Sequence, residues 1–217
     1  MSTANVSAAT AWTMTASSGG GGGGEKAPAG NHPAVLVGIV DMGTQKSDYQ
    51  GVVKWNRRAY FAWELVTKRN SLTGRNHVLG MDLTMSFADK AKLKAFVEAW
   101  LNRSIPPGEQ FDVSSLLGKP CLLNVKLKGE YPRIDGVGAV PDGLTVAAAQ
   151  TKPVAWLLAG RPPGSALDIP EWVPWLYGRS VADHIRECKE WGGDIAPVSG
   201  GNFSAETPTD GDGNVPF

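Results

Sequence analysis

The chain has 217 residues, enough for one good core with appendages, and its 21 basic and 21 acidic side chains cancel. Two cysteines, Cys121 and Cys188, are too few for a disulfide framework and suit a reducing compartment. No apolar run approaches the ~20 residues that span a bilayer, and the first residues show neither the basic nor the apolar part of a secretory leader, so no membrane partner is expected.

The charge is unevenly placed. Residues 1–32 sum to zero, residues 33–160 hold 16 basic and 11 acidic side chains, and residues 161–217 hold 4 basic and 9 acidic. A body of net +5 followed by a segment of net −5 points to a polyanionic partner for the body and a separate task for the tail. The plainer alternative is a chance scatter of solvated charge.

Residues 1–32 are of low complexity, with six glycines from Gly19 to Gly24 followed by Pro28 and Gly30. Such a segment buries too little to offset its ordering entropy and reads as a disordered tail. A phosphate-cradling loop would need a strand before the glycines and a helix after them.

The stretch Ala34–Val66 organises the body. Val35–Val40 is apolar and predicts a first strand over about Ala34–Asp41. Gly43–Gly51 reads as an extended polar loop, and a long second strand follows at about Val52–Thr67. Along that strand Val53, Trp55, Ala59, Phe61, Trp63 and Leu65 share one parity, broken by Arg57, and form the expected core face. Lys54, Asn56, Arg58, Tyr60 and Glu64 share the other parity and form the expected outer face. Trp55 and Arg57 have the wrong parity for that outer face, and a bulge near Trp55 would rotate them outward.

A third strand is predicted at about His77–Met85. Ser86 with Asp89 resembles a capping box, opening a helix whose apolar stripe is Leu93, Phe96, Val97, Trp100 and Leu101. Strand four is about Cys121–Leu127 and strand five about Tyr131–Val140, with Gly129 at the tip between them. The order is therefore β-β-β-α-β-β. That order predicts a mostly β fold with one or two helices, a five-stranded OB-fold barrel over residues 33–143. Residues 144–191 read as an extension with a wrap or extra strand at Val154–Leu158 and a helix over Glu171–Trp191, broken near Gly178. Residues 192–217 read as a disordered acidic tail.

No catalytic constellation emerges. His32, His77 and His184 are scattered, no His/Cys pair has metal-ligand spacing, and neither a phosphate loop nor a nucleophile elbow occurs. Asp210-Gly-Asp212-Gly-Asn214 imitates the start of a calcium loop, but Val215 stands where that loop requires glycine. No enzyme activity, metal or cofactor is expected.

Single-strand binding needs a cationic groove and aromatic faces. The candidates are Lys46 and Tyr49 in the first loop, Lys54, Trp55, Arg57, Arg58 and Tyr60 on strand two, and Lys126, Lys128, Tyr131 and Arg133 around the last hairpin. In an OB-fold the ligand lies on strands two and three between the loops joining strands one-two and four-five, where these residues would fall. The competing reading makes Trp55, Phe61 and Trp63 core residues.

Gly-Ile-Val-Asp-Met-Gly-Thr-Gln (38–45), then Lys54, Arg57-Arg58, Trp63-Glu64-Leu65 and Leu116–Leu123, resembles a family of small bacteriophage proteins over roughly residues 32–140. The resemblance implies an OB-fold single-stranded-DNA-binding protein of phage replication or recombination, working in the cytoplasm of an infected bacterium. The end, Asp210-Gly-Asp212-Gly-Asn-Val215-Pro216-Phe217, is similar to the acidic tip with which bacterial single-stranded-DNA-binding proteins recruit replication and repair partners, although its aspartates are spaced rather than contiguous. The partners implied are single-stranded DNA and replication or recombination proteins, and a homo-oligomer is compatible with this. A strand-annealing accessory and a virion structural or scaffolding protein are the alternative readings.

Overall fold

The computed structural model describes residues 25–191. Its first two strands, β1 (Gly30–Tyr49) and β2 (Val52–Arg69), form one antiparallel ribbon paired from Ala34↔Leu65 to Tyr49↔Val52. Gln50 and Gly51 join them at φ 52° and 79°, the pair of left-handed conformations that a two-residue type I′ turn requires. The polar stretch expected as an extended loop is therefore strand up to Tyr49. The β-forming Val52, Val53 and Trp55 across the ribbon supply its ladder partners, and its polar side chains need no core. The register shifts lie in β1, at Val37 and Met42, while residues 52–64 of β2 each have a partner in β1. The bulge expected near Trp55 does not occur.

β3 (Asn76–Thr84) pairs with β2, β4 (Pro120–Lys128) pairs with Gly30–Val35 at the start of β1, and β5 (Tyr131–Gly138) pairs with β4. All these neighbours are antiparallel, giving the order β3-β2-β1-β4-β5. A short β6 (Val154–Trp156) joins β1 in parallel at Gly38–Val40. The two ends of the sheet, β3 and β5, approach one another without a shared ladder among the described residues, so the sheet is not closed. Among the described residues the fold is mostly β with two α-helices, and neither is long and apolar enough to cross a membrane. β1 begins at Gly30, inside the stretch expected to be tail; residues 1–24 and 192–217 lie outside the described residues.

Helix α1 (Lys92–Leu101) lies between β3 and β4 in the chain and packs against β3 and β5. Of the expected stripe Leu93, Phe96, Val97 and Trp100 are buried, and Leu101 packs partly buried against the same core. It starts later than Ser86 because Ser86 and Asp89 are used otherwise. Ser86 Oγ accepts from Ala88 N at 3.2 Å in a separate turn, and Asp89 takes Lys94 Nζ at 2.7 Å.

The middle of the sheet is buried on both faces. On the inner face Ala34, Leu36, Ile39, Ala59, Phe61, Trp63 and Leu65 meet α1 and the apolar side of β4 and β5. On the outer face Val40, Met42, Tyr60 and Ala62 meet Trp156, Leu158, Val173, Leu176, Val181, Ile185 and Cys188. From Ala59 to Leu65 the parity of β2 separates the two sets as expected, but the second set is a core as well. Val53 and Trp55, which share the parity of the expected core face, are exposed because the ribbon runs past both cores there. The residues that cover it come from the extension. Of the helix expected over Glu171–Trp191, only α2 (Val181–Arg186) is α-helical. Pro174 and Gly178 interrupt the earlier part, since proline removes a donor and clashes with the preceding turn. Ser180 caps α2, accepting from Asp183 N at 3.2 Å.

Two glycines let the extension approach. A Cβ on Gly38 would lie 2.8 Å from Cη2 of Trp172. A Cβ on Gly43, which also has φ 71°, would lie 2.6 Å from Sγ of Cys188. Beside them Thr44 donates from N and Oγ1 to Glu190 at 2.7 and 2.6 Å, and Gln45 Nε2 donates to Met42 O and His184 O.

Glu64 fastens the first part of the extension. Its buried carboxylate accepts from Asn76 Nδ2 at 2.7 Å and from the amides of Gln150 and Thr151 at 2.8 Å each. Burial alone would raise its pKa, but these donors outweigh burial and hold it below the ordinary 4.5. A carboxyl depressed in the folded state stabilises it above the unfolded-state value and loses that contribution as pH falls through the folded value. Glu64→Gln should therefore lower stability at neutral pH by about 1–3 kcal/mol, because one buried oxygen acceptor becomes a donor facing donors. It should also lose less stability than the wild type on acidification from about pH 6 to about pH 3. Urea unfolding of both forms at the two pH values measures this, and parallel losses would show that Glu64 does not couple protons to folding.

Candidate nucleic-acid interface

The sequence candidates separate into three groups. The first is covered. Tyr60 is only 1% exposed, packed among Val40, Met42 and Trp156 with its hydroxyl over Gly80. Its phenol pKa is raised, by burial first and then by the neighbouring Asp82 carboxylate. Tyr60 thus has no face to offer a base, contrary to its expected role, because the extension occupies the outer face of β2. Arg58, on the same parity, is partly buried and paired with Asp82 of β3. Arg57, on the opposite parity, is paired at 2.6 Å with the buried Asp41, whose other oxygen accepts from Gly43 N at 3.0 Å. Both arginines serve the sheet's own carboxylates.

The second group lies on the far part of the β1–β2 ribbon. Lys46 and Trp55 are direct cross-strand partners, and both are exposed, Trp55 at 45%. Lys189 of the extension places its Nζ 5.6 Å from the Trp55 ring centre. Lys54 is half-buried nearby in β2, and Tyr49 ends β1 opposite Val52.

The third group is the β4–β5 hairpin. Lys126 lies opposite Arg133, and Lys128 lies opposite Tyr131. Directly opposed residues project from the same face, and positions two apart along a strand do as well. All four side chains therefore share one face, and all four are exposed. Two cations directly opposed are destabilising in a sheet. Asp135 relieves one of them, at 2.8 Å from Lys126 Nζ, while Arg133 has no ion pair among the described residues. Lys26 sits over the Tyr131 ring at 4.5 Å. The ribbon and this hairpin leave β1 at opposite ends, so the structure does not merge the second and third groups.

Two residues that the sequence reading missed stand beside the third group. Trp175 is 62% exposed and Tyr177 67% exposed, and with Tyr131, Pro132, Arg133 and Gly178 they line an open groove of about 380 Å³. Reading Glu171–Trp191 as helix hid them. The available signal was Tyr177-Gly178, a two-residue turn between Leu176 and Arg179, which bridge each other. The proposed partner-binding tip, Asp210, Asp212, Val215, Pro216 and Phe217, lies outside the described residues. Among the described residues no group of three His, Cys, Asp or Glu side chains is placed to hold a metal ion.

Comparison with protein-family models, curated proteins and solved structures finds no match to this chain.

The Tyr60 hydroxyl is buried and has no hydrogen-bond partner among the described residues. Tyr60→Phe should leave stability unchanged within about 1 kcal/mol or raise it, since an unsatisfied polar atom is removed. Tyr60→Ala should cost about 3–5 kcal/mol through the cavity it leaves. Chemical denaturation decides, and a Tyr60→Ala variant as stable as the wild type would mean that the extension does not cover this face in solution.

Proposed function

We propose that this chain is a non-catalytic single-stranded-DNA-binding protein of phage replication or recombination, built on an OB-type barrel and acting in the cytoplasm of the infected bacterium. The observation that carries the reading is the exposed face of the β4–β5 hairpin, where three cations and one aromatic ring are set side by side. Asp135 offsets only part of the positive charge of that face, and phosphates lying along it would add counter-charge to its exposed cations. The strand order β3-β2-β1-β4-β5, with a helix between β3 and β4, supports the barrel reading: it is the OB order with its last seam unpaired. The exposed Lys46 and Trp55 add a cation and a ring at the other characteristic loop of that fold.

On this reading DNA does not run over the outer faces of β2 and β3, which the extension occupies. It runs along the β4–β5 hairpin, and phosphate contacts supply most of the affinity without sequence preference. Binding to a single-stranded oligonucleotide should exceed binding to the corresponding duplex. Log affinity should fall with log salt at a slope of about −2 to −3, the value for three or four phosphates neutralised on a single strand. Lys126→Ala, Lys128→Ala and Arg133→Ala should each make that slope shallower by just under one unit. Titrations across salt concentrations test this, and equal affinity for duplex or a flat salt response would refute the assignment.

The acidic C-terminal tip is the proposed recruitment element, with Phe217 as its apolar anchor. Phe217→Ala should abolish capture of a replication or recombination protein from infected-cell extract and leave oligonucleotide affinity unchanged within about twofold, because no charge is removed. Retention of every wild-type partner by the variant would make the tip's resemblance accidental.

A further inference from the structure

The groove between the β4–β5 hairpin and the turn Leu176–Arg179 has features that packing does not require. Tyr177 has φ 51°, a left-handed conformation that costs a bulky residue on the order of 1–2 kcal/mol and is ordinarily given to Gly, Asn or Asp at the first position of such a turn. Gly178, at φ 75°, fills the second position without strain. A strained aromatic residue is ordinarily compensated by burial, yet the Tyr177 side chain is two-thirds exposed.

The ring is nevertheless fixed. Tyr177 Oη donates to Asp82 Oδ1 at 2.8 Å, and Asp82 is itself held by Arg58. His184 of α2 meets the ring edge-on at 6.4 Å between centroids, and His184 in turn bonds through Nε2 to Leu176 O at 3.1 Å. The result is an exposed aromatic face held at its hydroxyl, its edge and its backbone. Trp175 offers a second exposed ring two residues earlier, while the side chain between them, Leu176, is buried and anchors the turn. Across the groove stand Tyr131 and Arg133. A rigid aromatic face loses little conformational entropy when a flat apolar ligand settles on it. An adjacent arginine without an ion pair among the described residues suits an anion attached to that ligand.

We infer that this groove is a base-binding subsite, in which one unpaired nucleobase stacks on Tyr177 and Trp175 while Arg133 takes a neighbouring phosphate. The inference rests on the single-strand-binding reading and deepens it: the extension that covers the outer faces of β2 and β3 supplies stacking surface of its own at the adjacent seam. The ligand class is an unpaired nucleotide within a strand, in DNA or RNA.

The test uses the full chain and four probes: a deoxythymidine oligomer, the same oligomer with consecutive abasic sites at its centre, a uridine oligomer, and a duplex. The wild type should bind the intact oligomer more tightly than the abasic one. Trp175→Ala and Tyr177→Ala should each weaken intact-oligomer binding by about 5- to 150-fold, the loss expected for one stacked base, and should leave abasic-oligomer binding within about twofold. Arg133→Ala should weaken both oligomers. Tyr177→Phe, which keeps the ring, should retain most of the preference for intact DNA. The abasic oligomer controls for folding, because a misfolded variant would lose it too. Equal losses on the uridine oligomer would extend the subsite to RNA, and losses on deoxythymidine alone would restrict it to DNA. If the wild type binds single strands salt-dependently but Trp175→Ala and Tyr177→Ala bind intact DNA undiminished, the subsite is refuted and the single-strand reading stands. If the wild type prefers no single strand over duplex, both fall together.

Discussion

The double burial of β2 between Ala59 and Leu65 is the constraint on which the rest of the molecule depends. Alternate residues of one strand enter two cores, Ala59, Phe61, Trp63 and Leu65 on one side and Tyr60 and Ala62 on the other. A strand in that position cannot also serve as a wet binding surface. The exposed cations and aromatic rings lie where the second core does not reach: on the far part of the β1–β2 ribbon, the β4–β5 hairpin and the turn at Tyr177. The same constraint explains the glycines of the 38–45 stretch. Gly38 and Gly43 stand where Trp172 and Cys188 lie against the sheet, so this sequence block is occupied by the chain's own extension.

The charged residues divide along the same line. Arg57 and Arg58 lie close to the buried surfaces and are matched to Asp41 and Asp82. Taking a charge out of water without a partner costs several kcal/mol, so cations at the margin of a core find carboxylates. The exposed cations of the β4–β5 hairpin are under no such demand. Lys126 and Arg133 stand opposed on neighbouring strands and are both exposed, and Asp135 pairs with Lys126. Equal composition thus conceals unequal roles, and only burial tells the structural arginines from the available ones.

The sheet was largely legible in the sequence, and the outer core was not. Period-two alternation placed the strands, and helical spacing identified Leu93, Phe96, Val97 and Trp100, because each signal is local. The identity of the outer face is non-local. Val40, Met42, Tyr60 and Ala62 read equally well as half-exposed residues until Trp156, Leu158, Val173 and Ile185, about a hundred residues later, are known to lie on them. The polar composition of Thr44–Tyr49 likewise mimicked a loop, since a protruding ribbon needs ladder partners but no apolar face. Of the groove, Tyr131 and Arg133 were legible from their alternation with Lys126 and Lys128, whereas Trp175 and Tyr177 were lost to a helical reading of a stretch containing Pro174 and Gly178.

The placement of that outer core late in the chain has a consequence for biosynthesis. The strands β1, β2 and β3 pair consecutively and leave the ribosome first, but the residues of α2 that close over Met42 and Tyr60 emerge about a hundred residues afterwards. At about 5–20 residues per second, the nascent sheet shows an uncovered apolar outer face for roughly 5–20 s. During that interval the sheet is a substrate for chaperones and for its neighbours on the same polysome.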